Sequence, residues 1–221
     1  MKKPNNIFII ITILVVICMI IGIITIMVRT NNLGTQYVKK PIIYIYPEET
    51  INVNVTLGKP NKISCSYPEY IDGWNVIANP NGDLIDISTN NKLYALYWEG
   101  ADLSSTISSD GFIVKGEDTI SFLEEKLEYL GLNYKERNEF IIYWLPKLEN
   151  NKYNYIRFKT IDEINDYMPL SVYPEPDTII RVYMEYKSLE DINKINIEEQ
   201  VLIPVIREGY TVVEWGGSEI K

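Results

Sequence analysis

The alternation of apolar and polar positions predicts β-strands along most of the chain. Residues 51–57, "INVNVTL", alternate strictly, and residues 42–46, "IIYIY", form a β-branched and aromatic run. The segment "NVIANPNGDLIDI" predicts a hairpin, because Pro-Asn-Gly between two apolar runs is typical of a tight turn. Similar runs predict further strands at residues 92–100, 138–146, 153–158, 178–187 and 210–215.

One segment has the period of an amphipathic helix instead. In "GEDTISFLEEKLEYLG", apolar side chains recur at spacings of three and four residues, at Ile120, Leu123, Leu127 and Leu130. Asp118 is a natural N-cap and Gly131 fits the position just after the helix. With one helix among many strands, we expect an α+β domain built on a mainly antiparallel sheet.

The N-terminal pattern differs from the rest of the chain. Residues 7–28 contain no charged side chain and are long enough for a helix that crosses the hydrocarbon layer, which takes about 20 residues. A cleaved signal peptide is the alternative, but its apolar region is usually about 7–15 residues long. No small-x-small cleavage site follows in "RTNNLGTQ". We therefore predict an uncleaved transmembrane helix that anchors the chain in the cell membrane.

This helix divides the chain into parts. A short basic tail (1–6) precedes the transmembrane helix (7–28), and a polar stalk (29–40) leads to a single α+β domain (41–217) and a short tail (218–221). A basic tail in front of the first apolar segment usually stays in the cytoplasm. The domain is therefore expected to be extracytoplasmic.

Composition restricts the chemistry of the domain. The formal net charge is −9, which disfavours nucleic acid as a partner. The chain has no histidine, so Ser-His-Asp and Cys-His mechanisms and histidine-ligated zinc are excluded. We predict no cofactor and no metal. Cys65 is the single cysteine after the anchor, so no disulfide forms within the domain, and we expect it to be a small buried side chain.

Several segments together resemble a known family. The segments "KPIIYIYPEE", "YPEYIDGWNV", "LYWEG", "NEFIIYWLP" and "GYTVVEWGG" are similar to those of bacterial proteins, mainly Gram-positive and often membrane-anchored, that share a KPxIYxYP signature. The resemblance extends from Lys40 to Gly217 and implies one contiguous domain. It carries no catalytic residue over to this chain.

Two acidic and aromatic clusters are candidate sites. "SCSYPEYIDGWNV" contains Glu69 and Asp72 as candidate catalytic carboxylates beside Tyr70 and Trp74, whose rings are of the kind that stacks on sugars. The same residues are typical of a turn between two strands, and we favour that structural interpretation. In "LYWEGADLSS", Glu99 is a third candidate carboxylate, with Trp98 and Asp102 as candidate ligand-binding residues.

These observations support two functional hypotheses. The preferred one is a binding or interaction module, tethered to the membrane through residues 7–28, whose partner is a protein or a glycan. The alternative is a histidine-free hydrolase of cell-wall glycan that uses Glu69, Asp72 or Glu99, since paired catalytic carboxylates lie about 5–10 Å apart. Sequence alone does not decide between them.

Overall fold

Strands make up most of the computed structural model, which describes residues 15–20, 22, 36–102, 106–193 and 195–220. The strands are β1 (Gln36–Tyr46), β2 (Ile51–Leu57), β3 (Ile63–Tyr67), β4 (Trp74–Ala78), β5 (Leu84–Asp86), β6 (Lys92–Leu93), β7 (Leu96–Asp102), β8 (Asp110–Lys115), β9 (Tyr153–Phe158), β10 (Leu170–Tyr173), β11 (Thr178–Leu189), β12 (Glu198–Glu199) and β13 (Thr211–Glu219). The helices after β8 are α1 (Thr119–Tyr129), α2 (Tyr134–Leu148) and α3 (Ile161–Tyr167), with 3-10 turns at Pro60–Lys62 and Gly116–Asp118. The predicted α+β class is confirmed.

The strands form two sheets. The larger has the order β12-β8-β9-β11-β13-β1-β7-β3, and the smaller has the order β10-β2-β4-β5-β6. Neighbouring strands are antiparallel except in the β11–β13 and β12–β8 pairs. The predicted hairpin is β4–β5, whereas the predicted strand at 92–100 is divided into β6 and β7, which belong to different sheets.

The larger sheet is the middle of three layers. Successive residues of β1 point to opposite faces: Ile42 and Tyr44 pack with α1 and α2, while Ile43 and Ile45 pack with the smaller sheet. All four side chains are buried. A strand that is covered on both faces needs a continuous apolar run, which is what "IIYIY" provides.

The amphipathic helix is where the apolar spacing predicts it. Leu123 and Leu127 of α1 are fully buried, although Ile120 at the start of the predicted stripe is about half exposed. Gly131 follows the helix with φ +90°, a conformation that favours glycine. Asp118 occupies the N-cap position but makes no side-chain capping bond, because a 3-10 turn leads into the helix.

The predicted strand at 138–146 is wrong, since this segment belongs to α2. Phe140, Trp144 and Leu148 are buried at spacings of four residues, a helical period that outweighs the β-branched and aromatic composition. Asn133 and Glu136 form a capping box that begins the helix. Pro146 lies inside the last turn.

The boundaries of the domain differ from those expected. Strand β1 begins at Gln36 and so includes the end of the predicted stalk, while β13 and the buried Ile220 include most of the predicted tail. Most of the predicted transmembrane helix at 7–28 lies outside the described residues. Within this segment the structure describes only residues 15–20 and 22, which are helical. Among the described residues, no helix combines the length and hydropathy needed to cross a membrane.

A buried ion pair lies between the larger sheet and α3. Arg181 of β11 and Glu214 of β13 are neighbours in the ladder, and their side chains are 1% and 0% exposed. The Nε of Arg181 donates to Glu214 over 2.7 Å, and the Trp98 indole donates to the other carboxylate oxygen over 2.9 Å. Arg181 also donates to the Asn165 side chain and the Met168 carbonyl. Both carboxylate oxygens and all three guanidinium nitrogens therefore have partners inside the protein.

Removing one partner of this pair should destabilise the fold strongly. We expect Arg181→Met or Glu214→Leu alone to lower the free energy of unfolding by about 3–5 kcal/mol, because each leaves the other charge buried and unpaired. The double variant should lose much less than the sum of the two, as measured by urea denaturation. If the loss in the double variant equals the sum of the two single losses, the pairing is contradicted. Glu117→Ala, which removes the exposed ion pair with Lys115, is the control and should leave stability unchanged.

Candidate functional site

The first predicted cluster is held by the contacts of a turn. Glu69 and Asp72 are exposed in the connection between β3 and β4. The Tyr70 hydroxyl accepts a hydrogen bond from the Leu57 amide over 2.9 Å, and its ring packs edge-on against Trp74. The buried Trp74 donates its indole N–H to the backbone over 2.9 Å. These contacts orient both rings toward the protein, not toward a ligand.

The second predicted cluster is divided between the two faces of β7. Trp98 is fully buried and bonded to Glu214. Glu99 lies on the opposite face, partly exposed, and accepts a bond from the Lys40 amide over 3.4 Å. Burial, followed by the hydrogen bond and charge of Glu99, raises the pKa of Tyr97 well above its usual value. Asp102 ends β7, and its side chain lies outside the described part.

Cys65 is exposed, so the expectation of a buried thiol is wrong. It lies opposite Glu99 in the β3–β7 ladder. Strand β3 is at the edge of the larger sheet, and no strand of the described part of the chain pairs with its outer side in that sheet. A shared site of Glu99 with Glu69 or Asp72 stays a prediction.

A group of charged residues lies at the end of β9, and its charges are paired. Arg157 donates to Asp110 over 2.9 Å and to both oxygens of Glu163 over 3.0 Å. Lys159 pairs with the buried Glu185 over 2.9 Å. Burial alone would raise the pKa of Glu163, but its bonds to Arg157 and to the backbone lower that pKa below the usual value. The group therefore stabilises the chain where β9 leads into α3.

A concave feature lies beside this group. It is a cavity of about 540 Å³, within the usual range of ligand sites, between the start of β11, the end of β9 and residues 200–205. Its walls are mainly apolar, with Leu130, Phe158, Val182, Leu202 and Val205 among the lining side chains. Asp162 and Lys159 provide charge at its border. Its walls suit an apolar ligand.

Residues 200–207, which we call the strap, form one wall of the cavity. The strap has no regular secondary structure, and it exposes Val201 (88%), Ile203 (77%) and Ile206 (76%) to solvent. Leu202 and Val205 pack against the core instead. Large apolar side chains exposed together beside an apolar cavity are typical of interaction sites.

The strap is held at both ends by specific contacts. The Gln200 side chain accepts from the Phe158 amide over 2.9 Å and donates to its carbonyl over 2.6 Å. Arg207 donates to both oxygens of the buried Glu136, over 2.8 and 3.2 Å. Between them, the Val205 carbonyl lies so close to Gly131 that a Cβ there would be 2.9 Å away. The exposed apolar row is therefore held in a defined place.

Comparisons with known proteins add no assignment for this site. No family model, no curated protein and no solved structure matched the chain. The resemblance to the KPxIYxYP family stays a prediction. Within the described residues, no group of three or more acidic or cysteine side chains is arranged to hold a metal ion.

The strap is a candidate interaction element that the sequence pattern did not lead us to predict. Its segment "QVLIPVIR" is strongly apolar, yet Pro204 disfavours a central strand there and no helical period is present. An apolar run that fits neither a buried strand nor a helix is the signal that could have identified it. The cavity itself has no signal in the sequence, because its walls come from distant segments.

Gln200 should be required to keep the strap on the sheet. We expect Gln200→Leu to lower the free energy of unfolding by about 1–3 kcal/mol, because it leaves the buried amide and carbonyl of Phe158 without partners. Urea denaturation would measure the loss, and hydrogen exchange should show faster exchange of the Phe158 amide. Glu199→Gln, at the exposed neighbouring position, is the control. Unchanged protection of Phe158 would show that Gln200 does not hold the strap.

Proposed function

We propose that this chain is a single-pass membrane protein that displays an acidic domain outside the cell and binds a partner protein there. The binding site is the cavity together with the strap. The observation that carries this proposal is the row of exposed Val201, Ile203 and Ile206 beside an apolar cavity of about 540 Å³. Burying such side chains against a partner contributes about 25 cal/mol per Å² of apolar area.

The membrane anchor in this proposal rests on the sequence. Residues 7–28 are free of charge and long enough to span the hydrocarbon layer. The basic side chains of Lys2 and Lys3 favour a cytoplasmic N-terminus. An anchored domain meets its partners at or near the membrane surface, which suits a binding role.

A photo-crosslinker tests the site of binding. With p-benzoylphenylalanine placed at Ile203 of the full-length chain in intact cells, we expect a discrete light-dependent adduct with another protein. The same reagent at Ile142, which is 73% exposed on α2, is the matched control and should give no such adduct. Equal adducts at both positions, or adducts with lipid alone at Ile203, would contradict a protein-binding strap.

Cys65 offers a test of topology, because its thiol is exposed. In a Cys18→Ser background, a membrane-impermeant maleimide should label Cys65 in intact cells as fully as after lysis. The labelled chain should stay in the membrane pellet during alkaline carbonate extraction. Labelling only after lysis would place the domain in the cytoplasm. Release of the chain by carbonate would contradict the transmembrane anchor.

A further inference from the structure

Among the described residues, no strand pairs with one side of the first half of β11. On one side, β13 pairs with it from Thr178 to Tyr186. On the other side, β9 pairs only from Met184 onward, and the last contact is the Lys159 amide, which donates to the Tyr183 carbonyl over 2.8 Å. The chain then turns into α3 at Thr160, its N-cap. An edge is therefore open in the interior of an eight-stranded sheet.

The alternation of backbone groups identifies which of them face this opening. The Thr178 amide and the Tyr186 carbonyl bond to residues on the β13 side. The Tyr183 carbonyl bonds on the β9 side, as just described. In a strand, the amide and the carbonyl of one residue point to the same side, and those of the next residue point to the opposite side. The amides and carbonyls of Ile179 and Arg181 therefore point toward the side that β9 has left. Within the described part of the chain, no bond from α3 or the strap reaches them.

The same two residues line the cavity. Its floor is therefore a short strand edge with unpaired donors and acceptors, and its walls are the apolar side chains of Leu130, Phe158 and Val205. An extended peptide satisfies both features at once: its backbone pairs with the edge, and alternate side chains enter the apolar space. A lipid chain or a small apolar molecule would fill the space but leave the backbone groups unpaired.

The charge around the opening indicates the chemistry of the peptide. The basic Lys159 and Arg181 line the cavity, but each is paired with a buried glutamate. Asp162 also lines it, Asp177 precedes β11, and Glu208 contacts the first residue of that strand. All three side chains are exposed, and the chain as a whole carries a net charge of −9. A peptide with lysine or arginine beside its apolar positions complements this surface, whereas a second copy of the same acidic domain does not.

We propose that an extended, basic and apolar segment of a partner protein adds to β11 as a strand at Ile179–Arg181. Its alternate apolar side chains fill the cavity, and the exposed row of the strap covers its outer face. This inference rests on the proposed function and specifies how the binding occurs. It predicts that recognition depends on the peptide backbone as well as on side chains.

The test begins with a displayed library of random 12-residue peptides selected on the full-length chain in nanodiscs. We expect the selected peptides to alternate apolar residues and to carry lysine or arginine. The best one is then synthesised in two forms, with N-methyl groups at odd or at even positions. Strand addition predicts that one form loses affinity at least tenfold while the other keeps it, because only alternate amides face β11.

A protein variant provides the complementary measurement. Ile179→Pro removes the outward amide without touching the β13 ladder, and Ile179→Val is the matched control that keeps it. Affinity should fall at least tenfold for the first variant and stay within about twofold for the second. A version of the selected peptide with glutamate in place of each lysine should also bind the unchanged protein at least tenfold more weakly than the original peptide.

The outcomes separate the two levels of the proposal. Peptides that bind equally in both N-methylated forms, yet compete with crosslinking at Ile203, would overturn strand addition and leave the binding function intact. A selection that yields no peptide, with no protein adduct at Ile203, would overturn both. Selection of acidic peptides would overturn the basic character of the partner. Concentration-dependent dimerisation that Ile179→Pro blocks would show that the occupant is a second copy of the chain.

Discussion

The buried pair of Arg181 and Glu214 is the constraint on which the arrangement of layers depends. A guanidinium and a carboxylate inside a protein are tolerated only when their hydrogen-bonding capacity is met, and here this requires β7, β11, β13 and α3 together. Trp98 supplies one donor from β7, and the Met168 carbonyl at the end of α3 supplies one acceptor. Apolar burial, which includes Ile164 of α3, holds the layers together, and this polar network attaches α3 to β11.

The position of α3 in turn creates the cavity. To bring Asn165 and Met168 to Arg181, the chain must leave β9 after Phe158 and begin a helix almost at once. Thr160 and Glu163 make this turn possible through a capping box. The result is that β11 loses its neighbour early. The open edge follows from the polar requirement of the core and the sequence that satisfies it.

The sequence predicts those features that depend on local periodicity. The run at 42–46 indicates a strand, and the spacing of Leu123 and Leu127 indicates α1. The strand predicted at 138–146 is instead part of α2, because Phe140 and Trp144 are β-favouring residues at helical spacing, and the spacing outweighs the composition. The pairing of Arg181 with Glu214 and the absence of β9 beside Ile179 involve residues far apart in the chain. No local pattern encodes these features, so neither the cavity nor the hydrogen bond from Trp98 to Glu214 could be predicted.

An open strand edge is normally a liability, since it can pair with any exposed strand, including that of another copy. Three features limit that risk here. The free edge at Ile179–Arg181 is short, α3 and the strap flank it, and acidic side chains such as Asp162 surround it. Copies of a domain with this charge repel each other at distances within the Debye length of about 8 Å at physiological salt. The same acidic surface attracts a basic segment, so the features that disfavour self-association also favour the proposed partner.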